Sequence, residues 1–244
     1  MNVSAFKLAF LIIALVLPAQ TWAQKRFSKT YPASKNIRLQ LTNRTGTITV
    51  SGWNRNEIRI TANMEAPAAK IEPDATSENL IINVVRDNQG RGDVGSVNFD
   101  VKVPFGSSVD IETKMGNLTV RDISGEMVRA SVTSEGDITL GNVRTGSIMA
   151  TNVTGDIFFD GEFHAGGNYR FATTRGNINL RIPFNSSFRM VATAPQTSNI
   201  DLGAFNNNGL NFIGNSRRVV GNVNGGNSTV TLTSQRGSIS FISQ

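Results

Sequence analysis

Apolar and polar residues alternate in short runs that recur along the central part of the chain. The stretch from Thr133 to Phe159 contains three such runs, which read GDITL, GSIMA and GDIFF. An alternation with a period of two places successive side chains on opposite faces of a β-strand. The glycines recur at intervals of 9, 11, 10, 9, 11 and 10 residues, at Gly116, Gly125, Gly136, Gly146, Gly155, Gly166 and Gly176. The pattern therefore predicts repeated strands joined by glycine corners.

Every second glycine is followed by the same pair of apolar positions. The pairs are Leu118 with Val120, Ile138 with Leu140, Ile157 with Phe159, Ile178 with Leu180, and Ile200 with Leu202, where Ser198 takes the place of glycine. Glycine permits a sharp bend at each corner, and the polar residue after it can bond the turned backbone. Two strands and two corners make about 20 residues, so like strands of successive coils would stack in parallel. The prediction is an all-β fold, a single-domain parallel β-solenoid (β-helix-like) with about 20 residues per coil.

The repeat extends over most of the chain, and the ends set its limits. Upstream, IRLQLTNRTGTITVSGW and NEIRITA have the strand pattern, and STVTLTSQRGSISF closes the chain with another copy. At the start, Lys7 precedes the apolar run LAFLIIALVLP, and a small-residue site ends at Ala23. This layout predicts a cleaved signal peptide, with an uncleaved membrane anchor as the alternative. We expect a signal peptide at 1–23, an N-terminal extension at 24–35, a solenoid domain at 36–244, and no transmembrane anchor after cleavage.

Composition narrows the range of compartments and partners. The chain has 244 residues, 24 Lys and Arg, 18 Asp and Glu, and no cysteine. It therefore has no disulfide, no thiolate nucleophile and no lipidated cysteine at the cleavage point. Removal of residues 1–23 takes away Lys7, so the net charge falls from +6 to +5. Such an excess is typical of a soluble surface, and attraction to anionic envelope polymers is the alternative. We expect no nucleic-acid partner for an exported protein of this kind.

The repeat motifs resemble a known family. The run VKVPFGSSVDIETKMGNLTV, the earlier GTITVSGW and the closing TLTSQRGSI are similar to exported bacterial β-strand-repeat proteins catalogued as "putative adhesins", a domain family of unknown function. The resemblance covers nearly the whole chain after residue 23. It implies an adhesin-like solenoid in the periplasm, on the surface or outside a bacterial cell, and it supplies no catalytic residues.

The sequence lacks the side chains that most catalytic and cofactor sites need. His164 is its one histidine, so neither a hydrolase triad nor a zinc site of histidines and cysteines is expected. The glycines occur as single corners and form no GxxxxGK[ST] loop for phosphate. We therefore expect a protein that is not an enzyme and binds no small-molecule cofactor. Calcium is the one ion for which the sequence offers a candidate site.

The side chains that point away from the apolar rows form a candidate binding surface. Asp137 and Asp156 fall one coil apart, so they are a candidate calcium site or acid/base pair, unless each caps its own turn. Phe158 is aromatic where the alternation predicts exposure, so it would suit a docking patch, unless the C-terminal segment covers it. The candidate binding residues are Asn117, Thr119, Asp137, Thr139, Asp156, Phe158, Asn177 and Asn179.

These observations favour a non-enzymatic, adhesin-like binding or scaffold protein whose partner is a glycan or another envelope protein. The alternative is a polysaccharide-active lyase or hydrolase that uses acidic residues of the outward face, such as Asp137, Asp156 and Asp160, together with Arg181. A cleft in which carboxylates converge, on the outward face of the strands that follow every second glycine, would favour the lyase or hydrolase. A third interpretation is a passive spacer, or an accessory to an envelope-stress system, that binds no ligand of its own.

Overall fold

The structure is a computed structural model, and it describes residues 25–195, 200–206, 209–213 and 217–243. Two short helices occur in this part, α1 (Val84–Asp87) and a 3-10 turn (Gly203–Phe205), and neither is long or apolar enough to cross a membrane. The strands of the described residues are β1 (Lys25–Pro32), β2 (Arg38–Thr45), β3 (Ile48–Trp53), β4 (Glu57–Met64), β5 (Asp74–Ala75), β6 (Asn79–Asn83), β7 (Val97–Pro104), β8 (Ser108–Met115), β9 (Leu118–Arg121), β10 (Met127–Glu135), β11 (Ile138–Val143), β12 (Ser147–Thr154), β13 (Ile157–Gly161), β14 (Asn168–Arg175), β15 (Ile178–Ile182), β16 (Phe188–Thr193), β17 (Ile200–Asp201), β18 (Leu210–Ile213), β19 (Arg218–Val223), β20 (Thr229–Ser234) and β21 (Ile239–Ser243).

These strands form two long sheets that enclose one apolar core. The first sheet has the order β1-β4-β7-β3-β9-β11-β13-β15-β21-β17, and the second has the order β18-β19-β16-β20-β14-β12-β10-β8-β2-β6-β5. Alternate residues of both sheets are buried in a single cluster, as the period of two requires. Phe159 of the first sheet packs against Phe171 of the second, with ring centroids 5.3 Å apart. The prediction of an all-β, single-domain, solenoid-like fold is confirmed.

The central strands stack in parallel and in register. Leu118, Ile138, Ile157 and Ile178 are paired in succession across β9, β11, β13 and β15, and each side chain is fully buried. Their positions differ by 20, 19 and 21 residues along the chain. An apolar row of this kind buries its side chains only against the next coil, so the repetition itself stabilises the fold.

The sequence predicts parallel strands throughout, but both sheets contain antiparallel pairs at their ends. β4, which contains the NEIRITA motif, pairs antiparallel with both β1 and β7. At the other end β19 pairs antiparallel with both β16 and β18. The strand pattern sets which face of each segment is buried, but it carries no information on strand direction, so the parallel assignment was wrong at the ends.

The last copy of the repeat is inserted between earlier ones. β21 lies between β15 and β17, so Ile239 pairs with Ile178 on one side and with Ile200 on the other. β20 likewise lies between β14 and β16. The prediction that Ile200 stacks directly on Ile178 is therefore wrong, because the C-terminal strand offers the same apolar row and occupies that place.

Two other predicted segments have a clear outcome, and a third is not described. The expected extension at 24–35 contains β1, whose Phe27 and Tyr31 pack partly buried against the core. The expected strand NLIINVV ends at Asn83, because the Asn83 side chain accepts a hydrogen bond from Arg86 N and caps α1. The predicted signal peptide at 1–23, the cleavage site before Gln24, and Ser198 lie outside the described residues.

Candidate binding surface

Four of the predicted binding residues form one row on the outer face of the first sheet. Thr119, Thr139, Phe158 and Asn179 are paired in register across β9, β11, β13 and β15. Each lies between two fully buried residues of its own strand, so its side chain points to the opposite face. All four are half-buried. We call this set the outer row, and it is the regular surface that the alternation predicted.

The other four predicted residues form a corner row just before the same strands. Asp137 N donates a hydrogen bond to Asn117 Oδ1 at 2.9 Å, and Asp156 N donates to Asp137 Oδ1 at 2.8 Å. Asn177 N continues the series with a bond to Asp156 Oδ1 at 2.7 Å, and Ser238 N donates to Asn177 Oδ1 at 2.9 Å. Each side chain of the corner row therefore binds the backbone of the next coil in the sheet.

This arrangement bears on the three roles considered for Asp137 and Asp156. Each uses a carboxylate oxygen to accept a backbone N–H, as a cap would, but the amide belongs to the next coil and not to its own turn. Asn177 Nδ2 also lies 3.3 Å and 3.4 Å from the two carboxylate oxygens of Asp156. Within the described ranges, no three His, Cys, Asp or Glu side chains group as a metal site would require. These contacts give Asp137 and Asp156 a structural role, which is to join neighbouring coils through the backbone.

The corner glycines differ from one another in ways that the sequence does not show. Gly116, Gly136, Gly155 and Gly176 have φ between +116° and +149°, in a region where other residues are strained. A side chain on any of them would run into the carbonyl group of the equivalent glycine in the preceding coil. Gly146, by contrast, has open space around it and a φ outside this region. The stacked glycines are needed for the close approach of coils as well as for the bend.

A row of buried polar residues supports the stacked glycines from inside, and sequence analysis missed it. Asn152 Nδ2 donates to Gly136 O at 3.2 Å, and Thr173 Oγ1 donates to Gly155 O at 3.2 Å. Ser234 Oγ donates to Gly176 O at 2.9 Å in the same way. Asn152, Thr173 and Ser234 are each three positions before a glycine of the stack, which continues at Gly237. All three occupy inward positions where the alternation predicts an apolar side chain. That exception to the pattern is the signal that could have located them.

Phe158 is held on the outer face by charged neighbours. The Arg181 guanidinium lies 5.8 Å from the centre of the Phe158 ring, and Arg181 also pairs with the Asp160 carboxylate. Hydrogen bonding and charge attraction from Asp160 raise the pKa of Arg181. The sequence left open that the C-terminal segment covers Phe158. The C-terminal strand β21 instead continues the sheet beside β15, with β15 between it and the strand of Phe158.

Comparisons with known proteins place this architecture. A crystal structure of a "putative cell adhesion protein" from Clostridium sporogenes has a TM-score of 0.53 and 12% identity, and the match covers 91% of this chain and 100% of that one. A "putative adhesin" from Bacteroides fragilis has a TM-score of 0.39 at 9% identity, with 91% and 99% of the two chains covered. A search of the curated proteins finds no significant match. At these identities the first similarity shows the fold alone.

The family assignment rests on a direct match of the sequence. The family model described as Toastrack DUF4097, a domain of unknown function, matches residues 19–241. This range includes the stacked glycines, the corner row, the inserted strand β20 and the first three residues of β21. It confirms the resemblance that the repeat motifs indicated, and the chain therefore belongs to the Toastrack DUF4097 family.

Proposed function

We propose that this protein is an exported, non-enzymatic, adhesin-like protein that binds a partner of the bacterial envelope through the outer row. The observation that carries the proposal is the register of Thr119, Thr139, Phe158 and Asn179 on four consecutive strands. Paired strands are about 4.8 Å apart, so these side chains repeat at a fixed spacing that suits a long or repetitive partner. A coil of about 20 residues, as the sequence predicts, would account for this alignment.

The surroundings of Phe158 support a docking role. An aromatic ring among threonine, asparagine and arginine side chains offers apolar area with hydrogen-bonding groups around it, which is typical of binding patches. The name of the similar C. sporogenes structure is in keeping with adhesion. Export is supported by the signal peptide predicted at 1–23. On this proposal the protein acts in the periplasm, on the cell surface or outside the cell.

The enzymatic alternative has less support from the geometry. A lyase or hydrolase on this face would need carboxylates that are free to reach a substrate. Asp137 and Asp156 each hold the backbone of a neighbouring coil, and Asp160 pairs with Arg181. A calcium ion bound by Asp137 and Asp156 would have to share oxygens that already accept backbone N–H groups. The binding function uses the outer row and requires neither.

The test is a double variant, Phe158→Ala with Asn179→Ala, compared with the parent protein for binding to purified envelopes of the producing bacterium. We expect weaker binding and a Tm within a few degrees of the parent, because both side chains are half-buried outside the core and their loss should cost about 1 kcal/mol. The matched control is Met149→Ala with Thr151→Ala on the outer face of the second sheet, at strand β12. Equal binding by the parent and a stable outer-row variant would move the site elsewhere. Protease treatment of the envelopes separates a protein partner from a glycan.

A further inference from the structure

A cleft of about 380 Å³ lies at the corner opposite the stacked glycines, where β3, β7, β9 and β11 end. β3, β7, β9 and β11 run parallel, so all four strands start on one side of the first sheet and end on the other. The stacked glycines lie at the starts of the strands, and the cleft lies at their ends. Its lining includes one aromatic ring, one carboxylate, one amide, one hydroxyl and one guanidinium group, from Phe105, Asp122, Asn142, Ser124 and Arg144. We call this the corner cleft.

The aromatic ring of the corner cleft is exposed but firmly positioned. The Phe105 side chain is 43% exposed, so part of its ring is accessible to a ligand. Its backbone is held on both sides, since Phe105 N donates to Trp53 O at 3.2 Å and Phe105 O accepts from Ser124 N at 2.8 Å. A Cβ atom added to Gly52 would lie 2.7 Å from Phe105 Cδ1. The ring therefore lies close over a position that has no side chain.

The polar groups of the corner cleft are set by an unusual backbone. Asp122 has φ +58° and Asn142 has φ +50°, values uncommon for residues other than glycine. Asn142 is also the extra residue of a bulge, because the register passes from Gly141–Asp160 directly to Val143–Gly161. Bulges of this kind redirect side chains. Asn142 Nδ2 donates to Asp122 Oδ1 at 2.6 Å, so the amide and the carboxylate stand side by side.

These two side chains keep hydrogen-bonding capacity for a ligand. A carboxylate has about four acceptor sites, and the Asn142 amide retains a carbonyl oxygen and a second N–H. Side by side, they offer both acceptors and a donor to a ligand. The Arg144 guanidinium lies 3.8 Å from Glu162, which offsets its charge. The charge of Asp122 disfavours an anionic ligand in the corner cleft.

A pyranose sugar matches this combination of groups. One face of its ring presents C–H groups, which carry a slight positive charge and pack on the negative face of an aromatic ring. Its edge presents neighbouring hydroxyl groups that both donate and accept hydrogen bonds. We propose that the corner cleft binds one pyranose ring of a neutral glycan, with Phe105 stacking on the sugar and Asp122 and Asn142 binding two adjacent hydroxyls. This site lies off the outer row, so it and the proposed function can fail separately.

The experiment measures binding of defined sugars to the purified full chain by titration calorimetry. The probes are three neutral tetrasaccharides, cellotetraose, N-acetylchitotetraose and mannotetraose, together with the anionic tetragalacturonate. We expect saturable binding of at least one neutral probe and weaker binding of tetragalacturonate. Phe105→Ala should weaken the neutral interaction by about tenfold or more, as loss of an aromatic anchor does. Asn142→Gly should weaken it as well, and glycine keeps the positive φ of the bulge.

The chain supplies a close control for the aromatic variant. Phe184 occurs in the same Pro-Phe-x-Ser-Ser motif as Phe105 and is 55% exposed, but it stacks on Phe205 instead of lining the corner cleft. Phe184→Ala should leave sugar binding unchanged. Failure of all three neutral probes to bind overturns the proposal, as does binding that survives both Phe105→Ala and Asn142→Gly. Binding lost only in the Phe158→Ala, Asn179→Ala variant also overturns it, and assigns the sugar to the outer row.

Discussion

Gly136→Ala should destabilise the protein strongly because this glycine is needed twice. Its φ is +146°, and a methyl group there would lie 2.6 Å from the carbonyl carbon of Gly116 and closer still to the oxygen. A residue with a side chain in such a conformation costs about 1–3 kcal/mol, and forcing extra volume into a packed site costs a similar amount. We therefore expect a loss of about 4 kcal/mol, which lowers Tm by about 8–16 °C in a chain of this size.

The matched control is Gly146→Ala, at a corner that looks equivalent in the sequence. Apart from Gly146 and its two chain neighbours, no atom of the described residues lies within 4 Å of a Cβ added there, and the backbone is outside the positive φ region. That substitution should change stability by less than about 1 kcal/mol, with a small gain as the favoured direction. Thermal melting followed by circular dichroism measures both variants. If the two variants melted within about 2 °C of each other, the coils would not be in the close contact that the glycine stack requires.

Two further perturbations test the core and the strand order. Tyr169 is fully buried, its hydroxyl donates to Thr145 O at 2.9 Å, and burial raises its pKa above 10.0. The unfolded chain therefore ionises first, so the free energy of unfolding should fall as pH rises above 10.0. Tyr169→Phe should cost about 1–3 kcal/mol and make that fall shallower, and an equal pH dependence of the two proteins in chemical denaturation would contradict this. Deletion of 229–243 removes β20 and β21 from within both sheets, so we expect loss of strand signal in circular dichroism and a much lower Tm. Deletion of 25–32 removes only the edge strand β1 and should lower the Tm less. Equal losses in the two variants would contradict the inserted strand order.

The sequence predicts the coil well because one local rule repeats. In β9, β11, β13 and β15 the paired inward residues, from Leu118 to Leu180, are fully buried. The residue between the two members of each pair faces outward. A strand with one buried face allows no shift by a single residue, since that would bury the polar set. The placement of Thr119, Thr139, Phe158 and Asn179 in one row follows from the same rule. These features depend on neighbours in sequence and are therefore readable from it.

Features that depend on which copies become neighbours could not be read in this way. The segment around Ile239 has the same pattern as that around Ile200, so either could stack on Ile178 by its apolar positions alone. Strand direction at the ends is set by the connections and not by the burial pattern. The corner row was predicted as part of the binding surface, with turn capping as the alternative for Asp137 and Asp156, but its bonds to the next coil exist only once the coils are stacked. Long-range order therefore separates the predictable part of this fold from the rest.

The stacking of coils constrains the side chains at the starts of the first-sheet strands more than those at the ends of the same strands. At the starts of the first-sheet strands, the glycine stack, the corner row and the buried polar row all act between coils, so their side chains are committed to the fold. The outer row is fixed in position by its buried neighbours, while its side chains face outward. At the strand ends, a bulge and two residues at positive φ point Asp122 and Asn142 into a cleft beside an exposed Phe105. One contact between coils at that corner is the Asn142–Asp122 bond, and it leaves hydrogen-bonding capacity on both side chains, so it is there that a ligand can bind.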